Sequence, residues 1–127
     1  MKEIRIDFID FWENLKKTDN YFYNLLTENY IVIIDNDDPE LIFYSCFGKK
    51  HLNYSCKRIL FLGENIRPDL TGADFVFSFD FISNKKHYRL PLYLLYIDDH
   101  KMNEKIALLK SREEYLESWN KKSKFCC

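Results

Sequence analysis

The chain has 127 residues, of which 46% are hydrophobic, with 19 Lys plus Arg against 20 Asp plus Glu. This length fits one domain over residues 1–127, and the composition is typical of a globular protein rather than a disordered chain. The nearly balanced charge gives no overall attraction to nucleic acid or to an anionic membrane, so we expect a local site to select the partners and no nucleic acid among them.

Apolar periodicity predicts strands and one helix in the first two thirds of the chain. Apolar residues that alternate with Arg5 and Asp7 are typical of a half-buried strand. Apolar residues three and four apart predict a helix capped by Asp19 or Asn20, and the continuous apolar run after it is typical of a strand covered on both faces. The predicted elements are a strand at residues 4–8, a helix at 20–29, and strands at 30–34, 41–47, 58–62 and 74–79.

The last third of the chain is predicted to be largely helical. Residues 90–97 are apolar and fit a strand or a helix, because Pro91 favours an extended or first-turn position. Residues 102–109 carry one apolar stripe at helical spacing, and Ser111 with Glu114 forms a capping box that begins another helix. A strand, a helix and then closely spaced covered strands predict an α/β fold, a Rossmann-like three-layer sandwich.

Membrane and metal sites are not expected. No stretch approaches the ~20 apolar residues of a membrane span, and the first ten residues mix charges with Ile and Phe, unlike a signal peptide. We therefore expect a cytoplasmic location. The four cysteines include no Cys-x-x-Cys pair, so we expect no zinc, and Cys46 within an apolar run is predicted to be a free, partly buried thiol.

The predicted strand at residues 58–62 ends on Gly63 and Glu64. Open α/β folds bind their ligands at the carboxyl edge of the sheet, which is where this carboxylate is placed. Glu64 is either a cap for the following turn or a general base that takes a proton from an attacking hydroxyl. Gly63 is expected to allow a tight turn, and Asn65 to hold a nearby hydroxyl.

Three further residues are candidates for the same site. Arg67 either pairs with a carboxylate to hold its loop or reaches oxygen atoms of a ligand. Asp80 ends a predicted strand as Glu64 does, and it either lines the same crevice or caps a turn. Trp12 follows the first strand, and its ring suits the apolar face of a sugar as well as a place in the core.

Three motifs carry a resemblance to a known family. Leu-Gly-Glu-Asn at residues 62–65, Arg-Pro at 67–68 and Tyr-Arg-Leu-Pro-Leu-Tyr at 88–93 resemble the amino-terminal half of the α-1,3-fucosyltransferases, glycosyltransferase family 10. The third motif is one residue shorter than the family pattern. The resemblance implies one lobe of a GT-B glycosyltransferase, with Glu64 as catalytic base. It also implies that Asn65, Arg67, Trp12 and Asp80 bind the acceptor.

The resemblance also implies the substrates. The donor is GDP-fucose, bound in the family by a carboxyl-terminal lobe that no residue of this chain matches. The acceptor is a glycan that contains N-acetylglucosamine, of lactosamine type, and the full-length family associates in some cases peripherally with the inner membrane. We therefore expect this chain to have no cofactor of its own and to be inactive without the missing donor-binding lobe.

Two other functions remain as alternatives. One is a stand-alone glycan-binding or interaction module that has kept the lobe without the reaction. The other is an unrelated small Rossmann-like domain of the receiver or nucleotide-binding kind. The chain has no Gly-x-Gly-x-x-Gly motif and no phosphate loop, which speaks against the second.

Overall fold

Residues 1–97 and 111–123 are described by a computed structural model of the chain, which separates into the units Met1–Leu95 and Tyr96–Cys127. In the first unit, six parallel strands form one sheet in the order β2-β1-β3-β4-β5-β6. The strands are β1 (Lys2–Ile9), β2 (Tyr30–Ile34), β3 (Leu41–Tyr44), β4 (Lys57–Leu62), β5 (Phe75–Ser78) and β6 (His87–Arg89). Helix α1 spans Tyr21–Thr27, and two 3-10 helices span Lys50–Asn53 and Leu92–Tyr96.

An aromatic cluster forms the core on one face of the sheet. Phe8, Phe43 and Phe61 alternate with residues of the opposite face along β1, β3 and β4. Phe22 of α1 packs on this face, with its ring centroid 4.9 Å from Phe43 and 5.3 Å from Phe61. The helix is therefore anchored by aromatic contacts across the middle of the sheet.

A second apolar cluster covers the other face of β3, β4 and β5. Its strand residues are Tyr44, Leu60, Leu62 and Val76, and Ala73 reaches it from the connection between β4 and β5. Apolar side chains on both faces are expected of a parallel sheet, whose strands are normally buried on both sides. The predicted Rossmann-like α/β architecture is confirmed.

Helix α1 begins where the sequence predicts. Oδ1 of Asn20 accepts a hydrogen bond from the Tyr23 backbone N–H at 3.1 Å, which makes Asn20 the N-cap. A helix of seven residues is not stable alone in water, because nucleation costs more than so few hydrogen bonds return. Its stability therefore comes from Phe22, the buried residue of the helix.

Three expectations about strands are wrong. β1 is not half-buried, because Asp7, on the face opposite Phe8, is only 2% exposed. β2 lies at the edge of the sheet, and because α1 covers only one of its faces, Ile31 and Ile33 are exposed on the other. Cys46 lies beyond the end of β3 and is exposed, not buried within a strand. The pairing with β1 stops at Tyr44 because β1 itself ends at Ile9.

The sequence did not predict β6. Its three residues pair with β5, with Tyr88 opposite Phe77, but they are too few to show a period of their own. The neighbouring apolar run, left open between strand and helix, contains the 3-10 helix Leu92–Tyr96.

The described part of the second unit contains helix α2, Arg112–Asn120, whose predicted capping box is confirmed. Ser111 Oγ accepts from the Glu114 backbone N–H at 3.2 Å, and Glu114 Oε2 accepts from the Ser111 backbone N–H at 2.8 Å. The predicted stripe at residues 102–109 and two of the four cysteines, Cys126 and Cys127, lie outside the described residues. Among the helices that are described, none has the length and apolar character needed to cross a membrane.

Candidate functional site

The loops after β4 and β5 meet at the carboxyl edge of the sheet. Leu62 and Ser78 are paired in the sheet, and Ser78 is in turn paired with Arg89 of β6. Glu64 and Asp80 therefore each lie two residues beyond a paired position on strands that run side by side. Adjacent strands are about 4.8 Å apart, so the structure brings these two sequence-predicted residues to one site.

Glu64 is exposed at the carboxyl edge of the sheet. Within residues 1–97 and 111–123, its side chain has no hydrogen-bond or ion-pair partner. Its carbonyl accepts a hydrogen bond from the Ile66 backbone N–H at 2.8 Å, which folds the loop tightly around it. Asn65, next in the chain, is also exposed.

Gly63 has a different role from the one expected. It does not adopt a positive φ, so the turn does not depend on the conformational freedom of glycine. A Cβ at this position would lie 3.2 Å from Cδ1 of Leu92 and 3.4 Å from Cε1 of Phe61. The absence of a side chain therefore allows the 3-10 helix Leu92–Tyr96 to approach the base of the Glu64 loop.

Arg67 joins the loop that follows β4 to the loop that follows β5. Its Nη1 lies 3.4 Å from Oδ2 of Asp80, which is the carboxylate pairing considered from the sequence. The Arg67 side chain is largely exposed while that of Asp80 is mostly buried. Because the Arg67 end of the pair is open to solvent, the interaction is screened and is worth roughly 0 to 1 kcal/mol, so it orients the two loops more than it stabilises the fold.

The backbone of Asp80 is hydrogen-bonded to β5, the strand that precedes it. Its backbone N–H donates to Oγ of the buried Ser78 at 3.3 Å, and that oxygen lies 2.8 Å from Nε2 of His87 on β6. This contact links β5 to β6 beneath the loop. The sheet therefore fixes the position of Asp80. It does not fix the exposed side chain of Arg67, the ion-pair partner of Asp80.

Trp12 contributes to the core as well as to the edge of the site. It is half-buried against the aromatic cluster, with its ring 5.4 Å from Phe11 and 6.5 Å from Phe47. Phe11 in turn stacks 6.5 Å from Phe61, beside the base of the Glu64 loop. The packing interpretation of Trp12 is thus observed, and its contact with a ligand stays a prediction.

The sequence analysis missed an aspartate and a histidine at the same edge of the sheet. Asp10 directly follows β1, and Oδ2 of its carboxylate lies 2.7 Å from Nδ1 of His51. Its carboxylate also accepts from the backbone N–H groups of Lys50 at 3.1 Å and His51 at 2.9 Å, and its side chain is only 3% exposed. The rule that selected Glu64 and Asp80, an acidic residue just past a strand, would have found Asp10.

Asp10 adopts a strained backbone conformation. Its φ of 58° lies in the left-handed region, which costs a residue other than glycine about 1 kcal/mol or more. Gly48 is packed so closely that a Cβ there would lie 2.3 Å from Oδ1 of Asp10. The hydrogen bonds to residues 50 and 51 offset the strain and fix the 3-10 helix Lys50–Asn53 to the end of β1.

Burial alone would raise the pKa of the Asp10 carboxyl. The hydrogen bonds from the backbone and ring of His51 and from the backbone of Lys50 outweigh burial and hold the pKa below its ordinary value of 3.8. Because the pKa is lower in the folded state, the carboxylate stabilises the fold fully above about pH 4. This contribution is lost as the pH falls through the lower pKa of the folded protein.

We expect Asp10→Ala to destabilise the protein by roughly 2 to 4 kcal/mol, because it removes a charged acceptor and leaves three donors without a partner. Asp10→Asn is the matched variant, since Asn tolerates the left-handed region and keeps one acceptor, and it should cost less. Urea unfolding at pH 7 and pH 3 measures both. The deficit of Asp10→Asn should shrink at pH 3; a deficit that grows there, or Asp10→Ala within 0.5 kcal/mol of the parent, would contradict the assignment.

No cluster of three or more metal-ligating side chains occurs within the part of the chain that the structure describes. Within the described residues, the site presents the unpaired, exposed carboxylate of Glu64 in the same loop as Arg67, which pairs with Asp80. A free carboxylate next to groups that donate and accept hydrogen bonds is suited to deprotonating a bound hydroxyl.

Comparison with known proteins gives one family. The profile of the family described as the alpha-(1,3)-fucosyltransferase FucT N-terminal domain matches residues 6–96. A curated Helicobacter pylori protein, alpha-(1,3)-fucosyltransferase FucT, is 27% identical over 132 aligned residues, which cover 94% of this chain and 28% of that protein.

Solved structures give the same fold. A crystal structure of an alpha1,3-fucosyltransferase is 24% identical with a TM-score of 0.65, over 78% of this chain and 31% of that one. A structure of an alpha1,3-fucosyltransferase with GDP-fucose is 22% identical with a TM-score of 0.60, over 78% and 29%. The likeness confirms the predicted α/β fold of one GT-B lobe. The chain spans less than a third of the length of each relative.

Proposed function

Because this chain belongs to the alpha-(1,3)-fucosyltransferase FucT N-terminal domain family, we propose that it forms the acceptor-binding lobe of an inverting α-1,3-fucosyltransferase. The observation that supports the proposal is the exposed carboxylate of Glu64 at the carboxyl edge of the sheet, which has no partner among the described residues and shares its loop with Arg67 of the Arg67–Asp80 pair. This is the edge at which open α/β folds bind their ligands.

In the proposed reaction, Glu64 acts as general base. Its carboxylate takes the proton from a hydroxyl of the acceptor sugar as that oxygen attacks the anomeric carbon of fucose. The bond from this carbon to the β-phosphate oxygen breaks on the opposite side, and GDP leaves with the electron pair. Attack opposite the leaving group inverts the anomeric configuration, and the proton on Glu64 is then released to water.

The other candidates orient the acceptor. Asn65 carries an amide that both donates and accepts hydrogen bonds, next to the base in the chain. Arg67 keeps its exposed guanidinium N–H groups for hydroxyl oxygens while Asp80 fixes one end of it. Trp12 offers the exposed part of a half-buried ring. We propose a lactosamine-type acceptor, whose N-acetylglucosamine supplies the attacking hydroxyl.

We propose GDP-fucose as the donor, bound by a region that these 127 residues do not supply. The proposal is supported by the length of the relatives, of which the chain covers 28% to 31%. The isolated chain should therefore be catalytically inactive. A chimera in which it replaces the aligned region of the Helicobacter pylori FucT should transfer fucose to N-acetyllactosamine.

The test compares these two proteins in one assay with labelled GDP-fucose. We expect transfer by the chimera and none by the 127-residue chain. Transfer by the isolated chain would contradict the assignment of the donor site to a missing region. A folded chimera without activity would contradict the assignment of this chain as the lobe of a working fucosyltransferase.

A stand-alone glycan-binding module is the second candidate. It is favoured by the compactness of unit Met1–Leu95, which contains the complete sheet and apolar clusters on both of its faces. Saturable binding of a lactosamine oligosaccharide by the chain, combined with an inactive chimera, would select this candidate over the enzyme lobe.

A further inference from the structure

We propose that the ring of Phe81 is a stacking platform for a sugar ring of the acceptor, beside the attacking hydroxyl. This inference rests on the proposed function and adds a specificity-determining residue to it. Phe81 follows Asp80 in the loop after β5. Its role would be to hold the apolar face of the sugar while neighbouring polar groups bind the hydroxyls.

The first observation is that Phe81 is exposed and nevertheless held in place. It is 85% exposed, which is unusual for a residue type that is mostly buried in folded proteins. The guanidinium carbon of Arg89 lies 4.3 Å from the centre of its ring. Arg89 is itself fixed, because its Nε donates to the carbonyl oxygen of Phe79 at 2.9 Å.

This arrangement leaves the ring of Phe81 accessible to a ligand. A cation over one face of an aromatic ring stabilises its position without burying it. The remaining surface of the ring stays accessible, as its exposure shows. A Phe side chain has two rotatable bonds, so few rotamers are lost when a ligand stacks on its ring.

The second observation is the place of Phe81 in the sheet. Glu64 and Asp80 lie the same distance beyond the paired residues Leu62 and Ser78, and Phe81 is one residue further. The Arg67–Asp80 pair ties the two loops together at 3.4 Å. The platform therefore lies at the same edge as the proposed base, in the loop next to it.

The chemistry around Phe81 favours a carbohydrate over an apolar partner. Within the described residues, the guanidinium of Arg89 lies over the Phe81 ring, and the neighbouring Asp80 carries an ion pair with Arg67. The groups near the ring that these contacts show are charged. Pyranose rings combine C–H groups on one face with hydroxyls at the rim. The C–H groups match the negative face of an aromatic ring, and the hydroxyls match charged hydrogen-bonding groups.

The test measures the dissociation constant of N-acetyllactosamine by NMR titration of the 15N-labelled chain. Phe81→Ala and Phe81→Leu should each weaken binding by about 3- to 10-fold, the range expected for one aromatic stacking contact. Phe81→Trp should keep or improve the affinity, because it preserves a ring. The Phe81→Leu variant keeps an apolar side chain but has no ring, so it separates aromatic stacking from simple hydrophobic contact.

Tyr30→Ala is the matched control, because it removes an exposed ring at the amino end of β2, the opposite edge of the sheet. It should leave the affinity unchanged. An affinity of Phe81→Ala within twofold of the parent would overturn this inference alone, since wild-type binding would still support the acceptor lobe. Absence of binding by the folded wild-type chain would overturn both proposals.

Discussion

Glu64→Gln is expected to lower kcat for fucose transfer by the chimera about 10³-fold, within the range of 10²–10⁴ that general bases contribute. Gln has nearly the same shape and keeps hydrogen-bonding groups at the site, but it cannot accept the proton. The KM for the acceptor should therefore change little, because binding of the ground state is retained. Initial rates over a range of N-acetyllactosamine concentrations separate the two constants.

A loss of activity in Glu64→Gln should not result from unfolding of the protein. The Glu64 side chain is exposed and has no partner in the described residues, so its substitution should change the free energy of unfolding by less than about 0.5 kcal/mol. Glu3→Gln, at the amino edge of the sheet in β1, is the matched control and should retain full activity. A rate for Glu64→Gln within tenfold of the parent chimera would exclude Glu64 as the base.

Phe22→Ala should destabilise the fold by about 3 to 5 kcal/mol, the cost of removing a buried aromatic ring. Phe22 is 4% exposed and contacts the rings of Phe43, Phe61 and Phe77 on three different strands. It is also the buried residue that fixes the short helix α1 to the sheet. Such a loss is a large share of the roughly 5 to 15 kcal/mol by which domains are stable.

Leu25→Ala on the same helix is the control for Phe22→Ala. Leu25 is 48% exposed, so its truncation should cost less than about 1 kcal/mol, partly offset by the higher helix propensity of Ala. Urea unfolding followed by far-UV circular dichroism gives both values. A cost below about 1.5 kcal/mol for Phe22→Ala would show that α1 is not held by this contact.

Local signals in the sequence were sufficient for most of the fold. The Asn20 cap and the Ser111 capping box depend on residues a few positions apart, and both are confirmed. The half-buried strand predicted for β1 is wrong, because β1 lies between β2 and β3 and buries Asp7 as well. The exposure of Ile31 and Ile33 could not be predicted in this way. It depends on β2 being an edge strand, which is a property of the strand order and not of the segment.

Local signals in the sequence also predicted part of the site. Each of Glu64 and Asp80 was recognised as an acidic residue just past a predicted strand, and the structure pairs those two strands at Leu62 and Ser78, which places both residues at one edge of the sheet. The contact between Asp10 and His51 spans 41 positions, and no local pattern announces a partner so distant. Phe81 reads as an ordinary core residue in the sequence, and only its contact with Arg89 shows why it stays exposed.

The most direct test of the acceptor-lobe assignment is a map of backbone amide shifts when N-acetyllactosamine is added to the 15N-labelled chain. We predict saturable shifts that cluster at residues 63–67 and 79–82, with none at the amino edge of the sheet around Glu3 and Tyr30. Shifts confined to other surfaces, or none at millimolar sugar, would contradict the account.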